Sequence, residues 1–473
     1  MTKAMTQRMT GPRKLHFIGI GGAGMSGIAQ VFNTLGYEVS GSDLKRSRYT
    51  RMLEEAGVRV VFGHSAANLN SRPDAVVVST AIPSSNEELT AAVHRGIPVF
   101  LRAEMLAELM EMKRGIAVAG THGKTTTTSM VAHAMESLGL EPSFVVGGEL
   151  NDVGSNARCG SGEWLVAEAD ESDGSLLHLH PEIAVITNVE LDHHSHYVSL
   201  DQVVDVFTQF AASLPGAGAL VVWDQPLLKE VAAGTGARVV TYGAGEEADY
   251  RATGYKGSAG GGGSYTLSWE ASGGRQEMEV TLAVPGLHNA LNSLAAFAVL
   301  DLVGVGPRQA APALARFSGA ARRFQVKGEA LGVTIVDDYA HHPTEIAATL
   351  EAARSGGWKR VIGAFQPHLY SRTRYLHDEF GQALTDCDLA IVTDIFGARE
   401  EPEPGISGKL VVDSALRQTP EVNIAYIPKA RDIVPLLLRE LREGDIFITL
   451  GAGDIFKVGE DLLEALERQA SIV

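Results

Sequence analysis

IAVAGTHGKTTTT, residues 116–128, sets four apolar residues against Gly120, Thr121, His122 and Gly123, then Lys124 and four threonines. A short apolar run bounded by glycine reads as a buried strand, and the hydroxyl-rich stretch as the start of a helix reaching about Leu138. Glycines at such a turn let backbone N–H groups close around an anion at the positive end of the helix. Lys124 then stands where a lysine meets the β- and γ-phosphates of a nucleotide, and Thr125 where a hydroxyl binds Mg2+. The full P-loop spacing is not met, because Val118 occupies the place of the first glycine. What remains still predicts a triphosphate cradle made of Gly120, Thr121, His122, Gly123, Lys124, Thr125 and Thr126.

The same restart occurs on either side. Residues 15–20 are apolar and run into Gly19-Ile20-Gly21-Gly22-Ala23-Gly24 and a helical pattern over 25–35. Residues 333–336 run into Asp337, Asp338 and a helix from about Pro343. Strands alternating with helices predict parallel sheets covered on both faces, and 473 residues suit about three domains. The expected fold is α/β in three domains: Rossmann-like over 1–113, a P-loop ATPase-type domain over 114–318, and Rossmann-like again over 319–473. Four glycines, Gly260 to Gly263, read as a mobile loop, and the alternating runs 265–269 and 277–283 as the antiparallel strands it separates. Residues 289–305 form the most apolar long helix candidate. Asn292 and Asp301 interrupt it, so it reads as a buried helix and no membrane is expected.

Gly19 to Gly24 fits GxGxxG, a turn that brings backbone N–H groups against a pyrophosphate. Asp43 follows the next short strand, where an acid meets a ribose hydroxyl. Alone, this favours a dinucleotide such as NAD, although any diphosphate-linked nucleotide satisfies the same physics. Glu168-Ala169-Asp170-Glu171-Ser172-Asp173 follows the apolar run 164–167. Carboxylates at a strand end, in the domain that carries the P-loop, suit Mg2+, and Glu168 is the first choice. Asn188, Glu190, Asp192, His193, His194 and His196 follow a second run, 183–187. Imidazole is an unusual Mg2+ ligand, which leaves zinc as an alternative, but no cysteine or HExxH spacing supports it. Arg322, Arg323, Arg372 and Arg374 supply charge suited to a transferring phosphoryl group.

Fifty-seven acidic against forty basic residues leave a formal charge of −17, which argues against a nucleic-acid polymer as partner. Two distant cysteines, Cys159 and Cys387, argue against a disulfide framework and fit a reducing cytoplasm. Residues 1–13 are polar, without the apolar centre of a signal peptide. A cytoplasmic monomer or weak homodimer is expected.

Taken together and in order, the motifs resemble the Mur ligase family over about residues 14–457. They are HFIGIGGAGMSGIA (16–29), GTHGKTTTT (120–128), EADESD (168–173), TNVELDH (187–193), GLHNALN (286–292), RRF (322–324) and DDYAHHP (337–343). The resemblance implies that the first domain holds a UDP group over Gly21, Gly22, Ala23, Gly24, Met25 and Ser26, not a nicotinamide. It implies ATP in the second domain, with Thr125 and Glu168 on one Mg2+ and Glu168 and His193 on another. His288, Asn289 and Asn292 would lie near the adenine. The third domain would close over the site with Arg323, Asp338 and His341, and Arg372 would approach the amino acid or the sugar-linked carboxylate. The expected catalytic set is Lys124, Glu168, His193, Arg323, His341 and Arg372.

The implied reaction joins L-alanine to the lactyl carboxylate of UDP-N-acetylmuramic acid through an acyl phosphate, a step in peptidoglycan precursor synthesis. Several members that add later residues hold magnesium with a carbamylated lysine after the DH motif. Here no lysine lies between Lys124 and Lys229, and Phe207 falls near the expected place, which suits an alanine-adding member. Leu369 stands where many such members have arginine, so no substrate contact is expected of it.

Overall fold

The computed structural model describes residues 14–172, 174–192, 196–398 and 400–471. Its first sheet is all parallel, in the order Arg59–Phe62, Glu38–Asp43, Lys14–Ile18, Ala75–Val78, Val99–Leu101. Strand order reverses at Lys14–Ile18, and such a reversal opens a crevice at the carboxyl end, where the first glycine loop begins.

In the ten-stranded second sheet, Arg114–Ala119 runs parallel between Ile183–Ile186 and Trp164–Glu168. Three motifs far apart in sequence therefore leave the sheet side by side: the P-loop, EADESD and TNVELDH. The third sheet is ordered Gln325–Ala330, Val333–Asp338, Asp445–Leu450, Arg360–Phe365, Leu389–Val392, Ile424–Tyr426, and only its first strand is antiparallel.

Three details differ from expectation. The four glycines do not separate the runs 265–269 and 277–283. They turn the chain between Tyr250–Gly257, a strand the reading missed, and Gly263–Ala271, which then pairs with Gly274–Leu282. The missed strand is hard to read because Gly254 lies at φ +64° and the register shifts between Thr253 and Lys256. Gly260, Gly261 and Gly262 all have positive φ, and Gly260 N–H donates to Gly356 O at 3.1 Å, so the turn rests on the third domain. Secondly, the first helix begins at Ala23, which places Ala23 and Gly24 in its opening turn. Thirdly, Asp337 and Asp338 lie inside the strand Val333–Asp338. The apolar helix spans Leu287–Val303, and among the described residues no helix is long and apolar enough to cross a membrane.

The apolar cores are arranged unevenly. Met25, Ile28 and Ala29 of the helix Ala23–Thr34 share one buried cluster with Val145, Ala157 and Leu165 of the second domain. Each such side chain taken from water contributes about 1.5–3 kcal/mol for the larger ones, so parting these two domains is costly. Phe207 is buried in the same cluster. Third-domain apolar residues form clusters of their own. Cys159 and Cys387 are free.

Candidate active site

The cradle is shaped by what the glycines leave room for. A Cβ at Gly120 (φ +131°) would lie 2.0 Å from Thr187 Oγ1, and one at Gly123 (φ +78°) 2.7 Å from Asn292 Oδ1. Gly123 caps the helix Lys124–Ser137. Lys124 Nζ donates to Gly120 O (2.5 Å), Thr121 O (3.1 Å) and Glu171 Oε1 (2.9 Å). Burial alone would lower its pKa, but Glu171, Glu168 and Asp170 outweigh burial and hold the ammonium charged. Thr125 Oγ1 lies 3.0 Å from both Glu168 oxygens, and Glu168 Oε2 also accepts from Gly147 N–H at 2.7 Å. A hydroxyl and a carboxylate beside a phosphate cradle are the hard oxygen donors that Mg2+ prefers. The residues fit the ion. His193, expected as a further ligand, lies outside the described residues, as do Asp173 and His194.

A cavity of 420 Å³ continues from the cradle. It is lined by His122, Gly123 and Thr126, by His288, Asn289 and Asn292, and by Arg323, Asp338 and Glu345 of the third domain. Asn289 Nδ2 donates to Pro285 O at 2.6 Å and Asn292 Nδ2 donates to Asn289 Oδ1 at 3.3 Å, so the two asparagines of this helix are fixed. Burial, helped by the nearby Arg323 guanidinium, pushes the His288 imidazole down to about 4 and keeps it neutral. Asp338 accepts from the Phe324 and Ala340 N–H groups, both at 2.8 Å; burial raises its carboxyl to about 6 against the pull of Arg323. His341 is pushed by burial to about 3, with Nδ1 2.9 Å from Tyr339 O. A larger hollow, 740 Å³, lies at the other end of the second sheet around Lys113, Arg114 and Pro181. Open α/β sheets bind ligands at the carboxyl ends of their strands, and the charged groups there face one another, as in Arg114 with Glu182 and Glu163.

Arg372 is 3% exposed and commits its guanidinium to Asp192, with Nη2–Oδ1 at 2.8 Å and Nε–Oδ1 at 3.1 Å. It was expected to approach the amino acid or the sugar-linked carboxylate; here it holds the carboxylate of Asp192 in the second domain. In the first domain, Gly21 N–H and Lys45 N–H donate to the two Asp43 oxygens (2.9 and 3.2 Å), so this acid, expected to meet a ribose hydroxyl, also braces the glycine loop. Met25 belongs to the apolar core and Ser26 Oγ donates back to Ala23 O at 2.9 Å. Gly21, Gly22, Ala23 and Gly24 remain accessible. Arg102 reaches from beside Gly24 to Asp170 at 3.3 Å, which links this loop to the acidic motif.

This geometry has known counterparts. The Mur ligase family, catalytic domain, matches residues 14–114; the Mur ligase middle domain matches 118–300; and the Mur ligase, glutamate ligase domain, matches 322–453. The chain belongs to the Mur ligase family. Among its relatives, the UDP-N-acetylmuramate–L-alanine ligase of Rubrobacter xylanophilus is 51% identical over 96% of this chain and 100% of its own length. The crystal structure of the UDP-N-acetylmuramate–alanine ligase of Thermotoga maritima matches with a TM-score of 0.81 at 28% identity, covering 97% of this chain and 100% of that one. The murein peptide ligase of Psychrobacter arcticus matches at 0.70 and 26% identity, over 96% and 98%.

The cavity of this Mur ligase is also lined by a residue that sequence reading passed over, Glu345. Glu345 faces His122 at 3.3 Å and Arg323 at 3.4 Å and accepts from His341 N–H at 3.0 Å. Burial would raise its carboxyl, but its neighbours His341, His122 and Arg323 hold it well below the usual range. Its place three residues after the helix cap His342 is the signature of a capping box, which could have drawn attention to it.

Proposed function

We propose that the chain is a cytoplasmic ligase that joins L-alanine to the lactyl carboxylate of UDP-N-acetylmuramic acid, converting ATP to ADP and phosphate, and that it works as a monomer or weak homodimer. The observation that carries this reading is a single cavity walled by a phosphate cradle on one side and by third-domain Arg323, Asp338 and Glu345 on the other. The 51% identity to an alanine-adding relative supports the choice of amine.

A carboxylate is a poor acyl donor because its leaving group would be oxide. One lactyl carboxylate oxygen attacks the γ-phosphorus of ATP, ADP leaves with the bonding pair, and an acyl phosphate results. The L-alanine nitrogen then adds to the carbonyl carbon, loses its proton, and phosphate departs with the C–O electrons. Lys124 exchanges Glu171 and the loop carbonyls for phosphate oxygens and offsets charge in the first transfer. Thr125 and Glu168, with His193, would hold magnesium, which supplies Lewis-acid stabilisation of the phosphoryl oxygens. Arg323 adds positive charge from the third domain, whose closure keeps water from the acyl phosphate.

Phosphate release is measured with ATP, Mg2+ and UDP-N-acetylmuramate against each amino acid in turn and against a preformed tripeptide. L-alanine is expected to drive the fastest release. Faster release with the tripeptide would assign the chain to recycling, and no release with any amine would leave a nucleotide-binding protein.

A further inference from the structure

His122 and His342 each bury a ring nitrogen that has no hydrogen-bond partner: Nε2 of the first and Nδ1 of the second. Both nitrogens are aimed at one oxygen, Glu190 Oε2, at 3.4 and 3.7 Å. The side chains of the two histidines are 11% and 8% exposed, while Glu190 opens on the cavity at 36%. The three ligand atoms lie within 4.8 Å of one another, the one such His/Glu cluster among the described residues. Bonds of about 2.0–2.1 Å at tetrahedral angles place ligand atoms roughly 3.3–3.4 Å apart, close to the 3.4 and 3.7 Å that separate the two nitrogens from Glu190 Oε2. The other nitrogen of His122, Nδ1, faces Glu345 Oε1 at 3.3 Å. Against burial, Glu190 and Glu345 on either side raise the pKa of His122 to about 9, so a metal ion would take the place of the Nε2 proton while Glu345 orients the ring from behind.

We propose that His122, Glu190 and His342 form a transition-metal site, suited to Zn2+ or Co2+, with its fourth position open to the cavity. The set of two imidazoles and one carboxylate plus an open position is one that zinc takes and magnesium avoids. It shares no residue with the Thr125–Glu168 pair. His122 lies in the phosphate cradle and Glu190 beside it, whereas His342 caps the third-domain helix Pro343–Ser355. An ion bound here ties the third domain to the P-loop, so occupancy slows opening and hence turnover. The inference rests on this cluster alone and is independent of which acid and amine are joined.

The test is a titration of the full chain with Co2+ in the presence of excess Mg2+, read by visible absorption. One Co2+ per chain is expected, with the strong ligand-field band of a four-coordinate, imidazole-bound ion. His342→Ala should weaken it on the order of 100-fold, at least the loss seen when an outer partner of a metal ligand is removed. Glu168→Gln should leave the band intact. Circular dichroism establishes that the variants fold, and Glu190→Gln serves as the ligand variant if His342→Ala does not. No band in the folded wild-type chain, or a band that persists in the folded ligand variant, overturns the proposal. So does a band lost in Glu168→Gln and kept in the ligand variant, which would put the ion on the magnesium residues.

Discussion

The two seams between domains differ in what fills their centres, although the first also carries the Arg102–Asp170 and Arg48–Glu149 ion pairs. Between the first and second domains, Gly27 lets a helix approach Ala157 and Val145, and one apolar cluster runs through both domains. Between the second and third, the contacts are charged or hydrogen-bonded: Asp192 with Arg372, Glu190 with Thr344, His122 with Glu345. Apolar surface loses stabilisation when it is parted, whereas charged groups regain water. The first seam is therefore suited to hold a substrate platform still, and the second to open and shut around a reactive intermediate.

The sharpest way to break this division is Lys124→Ala. Phosphate release should fall by on the order of 10³-fold, the scale of losing one preorganised group that stabilises transition-state charge. UDP-N-acetylmuramate affinity, read by calorimetry, should be unchanged, because the first-domain loop expected to hold it lies across the other seam. Equal loss of both properties would mean that the two seams work as one.

Asp192→Asn comes next. The Arg372 pair is about 5% exposed on each side, and leaving one buried charge without its partner costs about 3 kcal/mol. The third domain can avoid that cost by staying open, so ligation should slow about 100-fold while the unfolding temperature of the first two domains holds. A fall in that temperature instead would show the charged seam to be structural.

How far all this could be read beforehand depends on how local each interaction is. Lys124, Thr125 and the loop glycines were legible because a phosphate cradle uses neighbouring residues in fixed order. Glu168 was legible because a strand end delivers it. Asp192 with Arg372 joins residues 180 positions apart, and no spacing rule announces such a pair. Asp43 reads as a ribose acid from its position at the end of the second strand, and its further bond to Gly21 N–H, 22 positions away, follows no spacing rule. The strand Tyr250–Gly257 was hidden by its own bulge and glycine.

The polar seam should also respond to acid. His288 has its pKa depressed to about 4 by burial and by Arg323, below an ordinary value near 6.5. Between those values the unfolded or opened chain binds the extra proton, so stability rises with pH across this window and is lost as pH falls toward 4. From pH 7 to pH 5 the loss is on the order of 2 kcal/mol. Urea unfolding at the two pH values should show a smaller difference in His288→Gln than in the wild-type chain. An identical difference would remove His288 from the account.

The gentlest probe is Gly27→Ala in the apolar seam. Gly27 is interior to the helix Ala23–Thr34, where alanine is favoured over glycine by about 1 kcal/mol. Against this, the new Cβ would stand 3.0 Å from Ala157 Cβ and 3.5 Å from Val145 Cγ1. The helix belongs to the first domain and both neighbours to the second, so relief requires the two bodies to part by a few tenths of an ångström. Overpacking a tight contact costs about 1–3 kcal/mol, which leaves a net loss of about 1 kcal/mol, read as a lower unfolding temperature with phosphate release nearly unchanged. A gain in stability would mean that helix propensity outweighs the contact and that this seam is looser than its apolar continuity implies.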